Sequence, residues 1–348
     1  MKGGLSMHIN KLKQAVNIGR HFIGVDPMYP LKLEMLLTYK CDSRCYFCER
    51  WKEKTTLPLK YVLEAIKDFS DLGGLAVNFL GGEPLLYQNL SEVLKYSKEN
   101  VALNKVSLST NGVRLHPILK RSHISDYLDK IYVSLDTLNS EKYKTIRGID
   151  ALDRVLKGIR SAKEDNIDVQ VNITITNDNL DELEDILEYA TKEEIKVGLQ
   201  PVHTLKGGAF VSPSEISIEA LKRALNKILR YKNIINQPEL YLKMMPFYLE
   251  DPERFFKNNN IRCFAGSLLV TIDPHGGVYP CDAKFIKIGN IMENSLKSIW
   301  KSKRRLKIVE QIKNGKHPKC WLDCIAPLNL EMKKSLKDII VEGIRRYG

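Results

Sequence analysis

The sequence predicts an α/β protein: a partial (β/α)6 barrel followed by a small C-terminal unit made of a β-hairpin and helices. Three observations predict it. Short apolar runs alternate with amphipathic helical stretches from about residue 31 to residue 202. The intervals between those runs are too long for hairpins and suit right-handed crossovers between parallel strands. After residue 203 the rhythm breaks, and near Cys263 it resumes as a strand–turn–strand pattern.

The elements follow in order. Residues 8–23 place Ile9, Leu12, Ala15, Val16, Gly19, Phe22 and Ile23 on one helical face, with Lys11, Lys13 and Arg20 elsewhere. This reads as a helix packing on the main domain or, more sharply, as a basic amphipathic helix on a membrane surface. Pro27 and Pro30 close it, so residues 1–30 form an N-terminal segment and the barrel occupies 31–210. Strands are expected at Leu33–Leu37, Leu75–Leu80, Lys105–Ser109, Lys130–Leu135, Val169–Thr176 and Ile195–Val202. Helices are expected at Leu59–Leu72, Leu90–Asn100, Asp150–Asn166 and Leu180–Thr191. Residues 211–260 connect: Gly207-Gly208 and Pro213 mark a loop, Ile218–Tyr231 a helix, and Pro238–Asn260 an irregular aromatic stretch. The second unit, 261–326, pairs Ser267–Ile272 with Val278–Cys281 across the turn Asp273-Pro274-His275-Gly276-Gly277. Leu296–Asn314 is a very basic helical stretch, and residues 327–348 form a basic amphipathic tail with its helix at Glu331–Arg346.

Size and composition narrow the function classes. The 348 residues suffice for a large core plus a smaller unit, with ordinary hydrophobic (43%) and charged (28%) fractions. No run of 18 apolar residues suggests a membrane span, and the first ten residues lack the apolar core of a secretion signal. Seven cysteines in ligand-like clusters favour metal over disulfides and fit a reducing cytoplasm, with peripheral membrane attachment left open. The net charge of +12 is spread along the chain and reads mostly as solvated faces, although it can draw anionic partners.

Cys41, Cys45 and Cys48 sit just after the first strand with three and two residues between them. Three thiolates on one loop can hold three irons of a [4Fe–4S] cluster and leave the fourth iron open to an outside molecule. A structural zinc site would want a fourth Cys or His nearby, and the nearest histidines are His21 and His116. Functional residues of parallel sheets lie at the carboxyl ends of strands. Here those ends carry the cysteine triplet, Gly81-Gly82-Glu83-Pro84, Ser109-Thr110-Asn111-Gly112, Ser134-Leu135-Asp136 and Gln200.

With these motifs in this order, the chain resembles the radical S-adenosylmethionine (SAM) superfamily, in the branch with a C-terminal SPASM/twitch-type auxiliary cluster domain. The match runs over roughly residues 31–325. The resemblance implies that Cys41, Cys45 and Cys48 hold a [4Fe–4S] cluster and that SAM chelates its open iron. Reductive cleavage of SAM then yields a 5′-deoxyadenosyl radical, with electrons from a donor such as flavodoxin or ferredoxin. It implies that Phe47 lies against adenine and that the Gly81-Gly82-Glu83-Pro84 turn receives the methionine amino group. Ser109, Asn111, Ser134 and Asp136 then border SAM, and Arg147 pairs with its carboxylate. The residues alone also allow plainer readings: core packing for Phe47, a helix cap for Glu83, a turn at Ser109–Gly112 and a surface arginine at 147. Gly81 and Gly82 would let backbone approach a ligand closely.

The second set is Cys263, Cys281, Cys320 and Cys324, with Gly276 five residues before Cys281. Its four cysteines resemble the twitch-type count, as in aminocyclitol dehydrogenases of the superfamily, and imply one fully ligated auxiliary [4Fe–4S] cluster. A zinc ion on the same thiolates is the alternative. No catalytic base stands out; Gln200 and His203 point toward a substrate or pack. The implied activity is hydrogen abstraction from an unactivated carbon of a peptide, the commonest substrate in the branch, of a sugar or aminocyclitol, or of a lipid. An iron–sulfur electron carrier and a zinc-stabilised RNA-binding module are the readings outside enzymology. The Gly-Gly-Glu-Pro turn speaks against the first, and the lack of RNA motifs against the second, so no nucleic-acid partner is expected.

Overall fold

The computed structural model describes residues 2–22, 25, 27–101, 103–206, 209–213 and 216–333. Six parallel strands run side by side in chain order: β1 (Lys32–Thr38), β2 (Ala76–Gly81), β3 (Lys105–Thr110), β4 (Lys130–Ser134), β5 (Asp168–Ile175) and β6 (Lys196–Pro201). Helices α2 (Leu59–Asp71), α3 (Leu90–Lys95), α4 (Leu115–Leu119), α5 (Ser140–Arg147), α6 (Leu152–Glu164) and α7 (Leu183–Lys192) connect them, after the N-terminal α1 (Lys2–Phe22). The partial (β/α)6 barrel is as the sequence predicts.

Period-two alternation in the strands separates two environments. Leu33, Met35, Val77, Phe79, Val106, Leu108, Ile131, Val133, Val171, Ile173, Val197 and Leu199 face one way and are buried in the hydrophobic core. Val62, Ala65, Ile66 and Phe69 of α2, and Val155, Ile159 and Ala162 of α6, supply part of the matching apolar helix faces. Most of the intervening positions are polar, among them Glu34, Asn78, Ser107, Ser109, Tyr132, Gln170 and Asn172. A parallel strand covered on both faces ordinarily reads as continuous apolar sequence. These polar positions therefore mark the interior of the barrel as something other than a packed core.

The C-terminal unit does not form a separate sheet. Its strand β9 (Leu269–Ile272) pairs parallel with β1, in register from Lys32 opposite Leu269 to Met35 opposite Ile272. β10 (Gly277–Tyr279) returns antiparallel to β9, and β11 (Gly289–Asn290) pairs with β10, completing one nine-stranded sheet.

Several expectations are corrected. Pro238–Asn260 is helical rather than irregular: α9 (Glu239–Glu250) carries Pro246 inside it, and α10 (Pro252–Asn259) starts with Pro252 behind an Asp251 cap. Their aromatic residues were needed for packing, not for a loop. The expected loop after β6 contains a hairpin, β7 (His203–Lys206) with β8 (Ala209–Pro213), while Gly207 and Gly208 lie outside the described residues. α8 (Ile218–Ile228) follows it as expected. The basic stretch at 296–314 is two helices, α11 (Leu296–Lys301) and α12 (Lys303–Lys313), because Ser302 adopts an extended conformation and caps the second. The short α13 (Ala326–Glu331) follows Cys324, and the expected helix at 331–346 lies outside the described residues from 334 on.

The N-terminal helix packs the opposite way round from the plainer expectation. Its amide side chains Asn10, Gln14 and Asn17 are buried, whereas Ile9, Leu12 and Val16 are exposed. Asn10 donates to the Gly74 carbonyl (3.3 Å), Gln14 to the carbonyls of Gly73 (2.7 Å) and Pro30 (2.8 Å), and Asn17 to that of Tyr29 (2.7 Å).

Candidate functional site

Strand β1 ends in the cysteine loop, and the turn after β2 is pressed against it. Gly82 N–H donates to the Thr38 carbonyl (2.6 Å) and Glu83 N–H to the Lys40 carbonyl (2.7 Å). A Cβ on Gly82 would stand 2.4 Å from the carbonyl oxygens of Tyr39 and Lys40. The close approach these glycines permit is to the chain leading into Cys41, and both also border the cavity described below.

Glu83 is fully buried and works inside the protein. Its carboxylate accepts from Leu85 N–H (3.0 Å), Thr110 Oγ1 (2.7 Å) and Asn111 N–H (2.7 Å), tying the ends of β2 and β3 together. Burial pushes its carboxyl up to about 7 against the pull of those three hydrogen bonds. Glu83 and Pro84 do not line the cavity described below, although Gly81 and Gly82 do. Glu83 thus caps the turn of Pro84–Leu86, and does more by fixing Asn111.

Asn111 orders the cysteine loop directly. Its Nδ2 donates to Asp42 Oδ1 (2.7 Å) and Ser43 Oγ (2.9 Å) and lies 3.8 Å from Cys41 Sγ. Arg114 Nε donates to the second oxygen of Asp42 at 2.7 Å. From the far side, Arg44 N–H donates to the Arg147 carbonyl (2.8 Å), and Tyr46 N–H to that of Ile146 (3.3 Å). Gly148, at φ +64°, leaves room for this contact: a Cβ there would meet the Arg44 carbonyl at 2.5 Å.

Arg147 is buried rather than on the surface. Its Nη2 pairs with Asp136 Oδ2 at 2.6 Å, its Nη1 lies 3.6 Å from Cys45 Sγ, and its guanidinium sits 5.6 Å from the Phe47 ring centroid. Asp136 has no exposure and also accepts from Thr174 N–H (2.8 Å). Asp136 does not line the cavity; Phe47, Ser109, Asn111, Ser134 and Arg147 do.

That cavity, of about 580 Å³, is lined by Cys41, Cys45 and Cys48 and also by Cys324. Its floor is the polar face of the strands. Gln170 Nε2 donates to Asn172 Oδ1 (2.8 Å), and both amides sit over Gly198, where a Cβ would come within 2.5 Å of each. Gln170 Oε1 and Gln200 Oε1 are buried without a hydrogen-bond partner. The cationic side chains on the wall are paired: Lys32 with Glu34 (2.6 Å), Arg50 with Asp282 (2.6 Å) and Arg147 with Asp136. Gln200 reaches the cavity, but His203 does not; its Nε2 lies 3.3 Å from Trp321 N–H, and burial lowers its pKa to about 3. Glu34, Asn78, Tyr132, Gln170 and Asn172 were missed by motif reading. Polar residues at alternate positions of buried parallel strands were the available signal.

The second cysteine set is held by an aromatic block. Trp321, fully buried, stacks with Tyr241 (5.2 Å, 9°) and Tyr248 (5.3 Å, 19°) and meets Phe255 edge-on (5.2 Å). Tyr241 OH donates to the Trp321 carbonyl, and Tyr248 OH to that of Lys319, each at 2.9 Å, so α9 clamps the backbone on both sides of Cys320. Cys281 and Cys320 are buried, Cys263 and Cys324 half-buried, and none of the seven thiols is in a disulfide.

The donor sets fit iron–sulfur clusters chemically. Burial pushes Cys41 and Cys320 up to about 12 and raises Cys45, Cys263, Cys281 and Cys324 as well, so these thiols wait for a cation to replace their protons. Repulsion from Cys320 and Cys263 adds to the rise at Cys281, and repulsion from Cys263 to that at Cys320. Among the described residues no three His, Cys, Asp or Glu side chains converge on a point that could hold a single metal ion. A cubane cluster takes a wider set of thiolates than one tetrahedral zinc.

Comparison with known proteins follows the same division. Residues 35–190 match the radical SAM superfamily model, and residues 263–325 match the SPASM iron–sulfur cluster-binding domain. The chain is 29% identical over 226 residues to a GTP 3′,8-cyclase of Clostridium perfringens (strain SM101 / Type A), covering 62% of this chain and 69% of that one. It is 34% identical over 165 residues to a probable GTP 3′,8-cyclase of Thermococcus kodakarensis, covering 46% of this chain and 53% of that one. Among solved structures, SuiB of Streptococcus suis bound to S-adenosylmethionine has a TM-score of 0.62 at 20% identity, covering 79% of this chain and 66% of SuiB. Native anSMEcpe with bound AdoMet has a TM-score of 0.60 at 17% identity, covering 81% of this chain and 83% of that one. Both share its fold.

Proposed function

The chain belongs to the radical SAM superfamily and is an enzyme with SAM and iron–sulfur clusters as cofactors, and on that premise we propose that it abstracts a hydrogen atom from a polar organic substrate lying between two clusters. The observation that carries this reading is one cavity of about 580 Å³ lined by Cys41, Cys45 and Cys48 of the first set and by Cys324 of the second. Cys41, Cys45 and Cys48 would hold the SAM-binding cluster, and Cys263, Cys281, Cys320 and Cys324 the auxiliary one. Bound there, the cluster and SAM supply reductive cleavage of the sulfonium and a carbon radical that takes hydrogen.

The protein's own residues do the positioning. Asn111 and Arg147 hold the loop from opposite sides, so the three thiols are presented to the cavity before any metal arrives. Phe47, with the Asp136-paired Arg147 guanidinium 5.6 Å from its ring, forms a flat corner beside Cys45 suited to an adenine ring. The polar side chains that line the cavity, Glu34, Asn78, Tyr132, Asn172 and Gln200 among them, favour a substrate rich in hydrogen-bonding groups.

A peptide is the substrate class we place first, because backbone N–H groups meet that demand. A polyhydroxylated or amino-sugar molecule meets it too and is the second reading. A nucleoside triphosphate, as in the cyclases named above, would call for unpaired cations, and the wall's Lys32, Arg50 and Arg147 already have carboxylate partners. A lipid chain would meet a floor of amides.

Anaerobic reconstitution tests the core of the reading. The protein should take up about eight irons, for two four-iron clusters. Replacing Cys41, Cys45 and Cys48 with Ala should leave about four irons and abolish dithionite-driven 5′-deoxyadenosine formation from SAM. Continued formation in that triple variant refutes the assignment.

A further inference from the structure

The N-terminal helix presents an apolar stripe to solvent while burying its polar side. Ile9, Leu12 and Val16 are 46%, 68% and 43% exposed, and Ala15 and Gly19 on the same face are exposed as well. At 100° per residue these five positions span one continuous third of the helix surface. Asn10, Gln14 and Asn17 lie opposite, and their hydrogen bonds to Ser70, Gly73, Gly74, Tyr29 and Pro30 fix which face points outward. The orientation is therefore set by specific amide contacts, and the stripe is left over. Asn17 Oδ1 also accepts from Met28 N–H (2.9 Å), fastening a segment that adds Val25 and Met28, 38% and 45% exposed, to the apolar surface.

Charge decides what such a face meets. Lys11 borders the stripe on one side, and Lys13 and Arg20 border it on the other; Lys11 is exposed, whereas the Lys13 ammonium is held by the Asp71 carbonyl at 2.7 Å. Trp300 of α11 donates to the Met28 carbonyl (3.1 Å), which brings α11 and its exposed Lys301 alongside, close enough for Lys301 to act on Lys13. Long basic side chains at the edge of an apolar helix face can lay their stems on lipid and their heads among phosphates. A second copy of this chain, at +12, would bring like charges together across the same face.

We propose that the exposed stripe of α1, with its basic borders, docks the folded enzyme on an anionic membrane surface. No helix of the described residues is long and apolar enough to cross a membrane, so the attachment is peripheral. The inference is independent of the substrate reading above.

Flotation of the full-length, iron-reconstituted protein with vesicles tests it. Vesicles of phosphatidylglycerol and phosphatidylcholine should bind the protein at low salt, and phosphatidylcholine alone should bind it at least tenfold more weakly, since neutral lipid lacks the attraction for the basic borders. The double variant Leu12→Glu/Val16→Glu should lose at least tenfold in partitioning, with its circular-dichroism melting curve, iron content and 5′-deoxyadenosine formation unchanged. Lys11→Glu should weaken binding to anionic vesicles by a smaller factor and shift its salt dependence. Absence of binding to anionic vesicles at low salt overturns the proposal. So does undiminished binding by the double variant. A sedimentation-velocity dimer that the double variant abolishes assigns the face to a second copy instead.

Discussion

The two cysteine sets are built by opposite strategies. Cys41, Cys45 and Cys48 lie within eight residues, and their loop is held by polar bonds from Asn111, Arg114 and the Ile146–Gly148 backbone. Cys263, Cys281, Cys320 and Cys324 span 62 residues and are drawn together by strand pairing and by the stack of Tyr241, Trp321 and Tyr248. A hydrogen-bonded loop is fixed locally and can be open to a cavity on one side. A dispersed set depends on the core of its domain, so its geometry and the fold's stability should fail together. The difference suits an iron that must accept an outside ligand on one side and a closed shell on the other.

Mutations can break this contrast or sharpen it. The largest effect is expected from Trp321→Ala, which empties a fully buried indole site and should cost about 3–5 kcal/mol. Thermal unfolding would register that loss, and the reconstituted variant should retain only the iron of the first set, about four. Full iron content with a normal melting curve would mean the aromatic block does not position Cys320. Asn111→Ala should cost about 1–3 kcal/mol by leaving Asp42 and Ser43 without a buried donor. Its signature is different: the auxiliary iron should persist while SAM cleavage falls, measured as 5′-deoxyadenosine per iron. The smallest effect belongs to Arg114→Ala, whose partner pair with Asp42 is half exposed on the arginine side and should be worth less than about 1 kcal/mol. A larger shift in its melting curve would show that the rim of the loop, and not Asn111, carries the brace.

Much of the barrel was legible because the strand and helix periods are clean and functional residues cluster at strand ends. Cys41, Cys45, Cys48, Phe47, Ser109, Asn111, Ser134 and Arg147 do meet around one cavity. Other residues carried a double meaning that spacing cannot resolve. Glu83 looks the same in sequence whether its carboxylate faces a ligand or, as here, three protein donors. Gly81 and Gly82 announce a close approach without naming what approaches. Pro238–Asn260 reads in sequence as an irregular aromatic stretch, yet Pro252 sits at a helix start and α9 runs helical through Pro246. The facing of α1 turned on hydrogen bonds to carbonyls about 60 residues away, such as that of Gly73, which no local period encodes.

The pairing of β9 with β1 has a mechanical meaning. The strand that delivers Cys41 is the strand on which the auxiliary unit hangs, and Arg50, just past Cys48, grips Asp282, just past Cys281, through two hydrogen bonds of 2.6 and 2.8 Å. A backbone ladder and a salt bridge thus act as a ruler that sets the spacing between the two cysteine sets. Trimming the chain after residue 260 would not yield a smaller catalyst. It would strip β1 of its neighbour and bare a row of unpaired amides, turning the barrel's rim into a sticky edge.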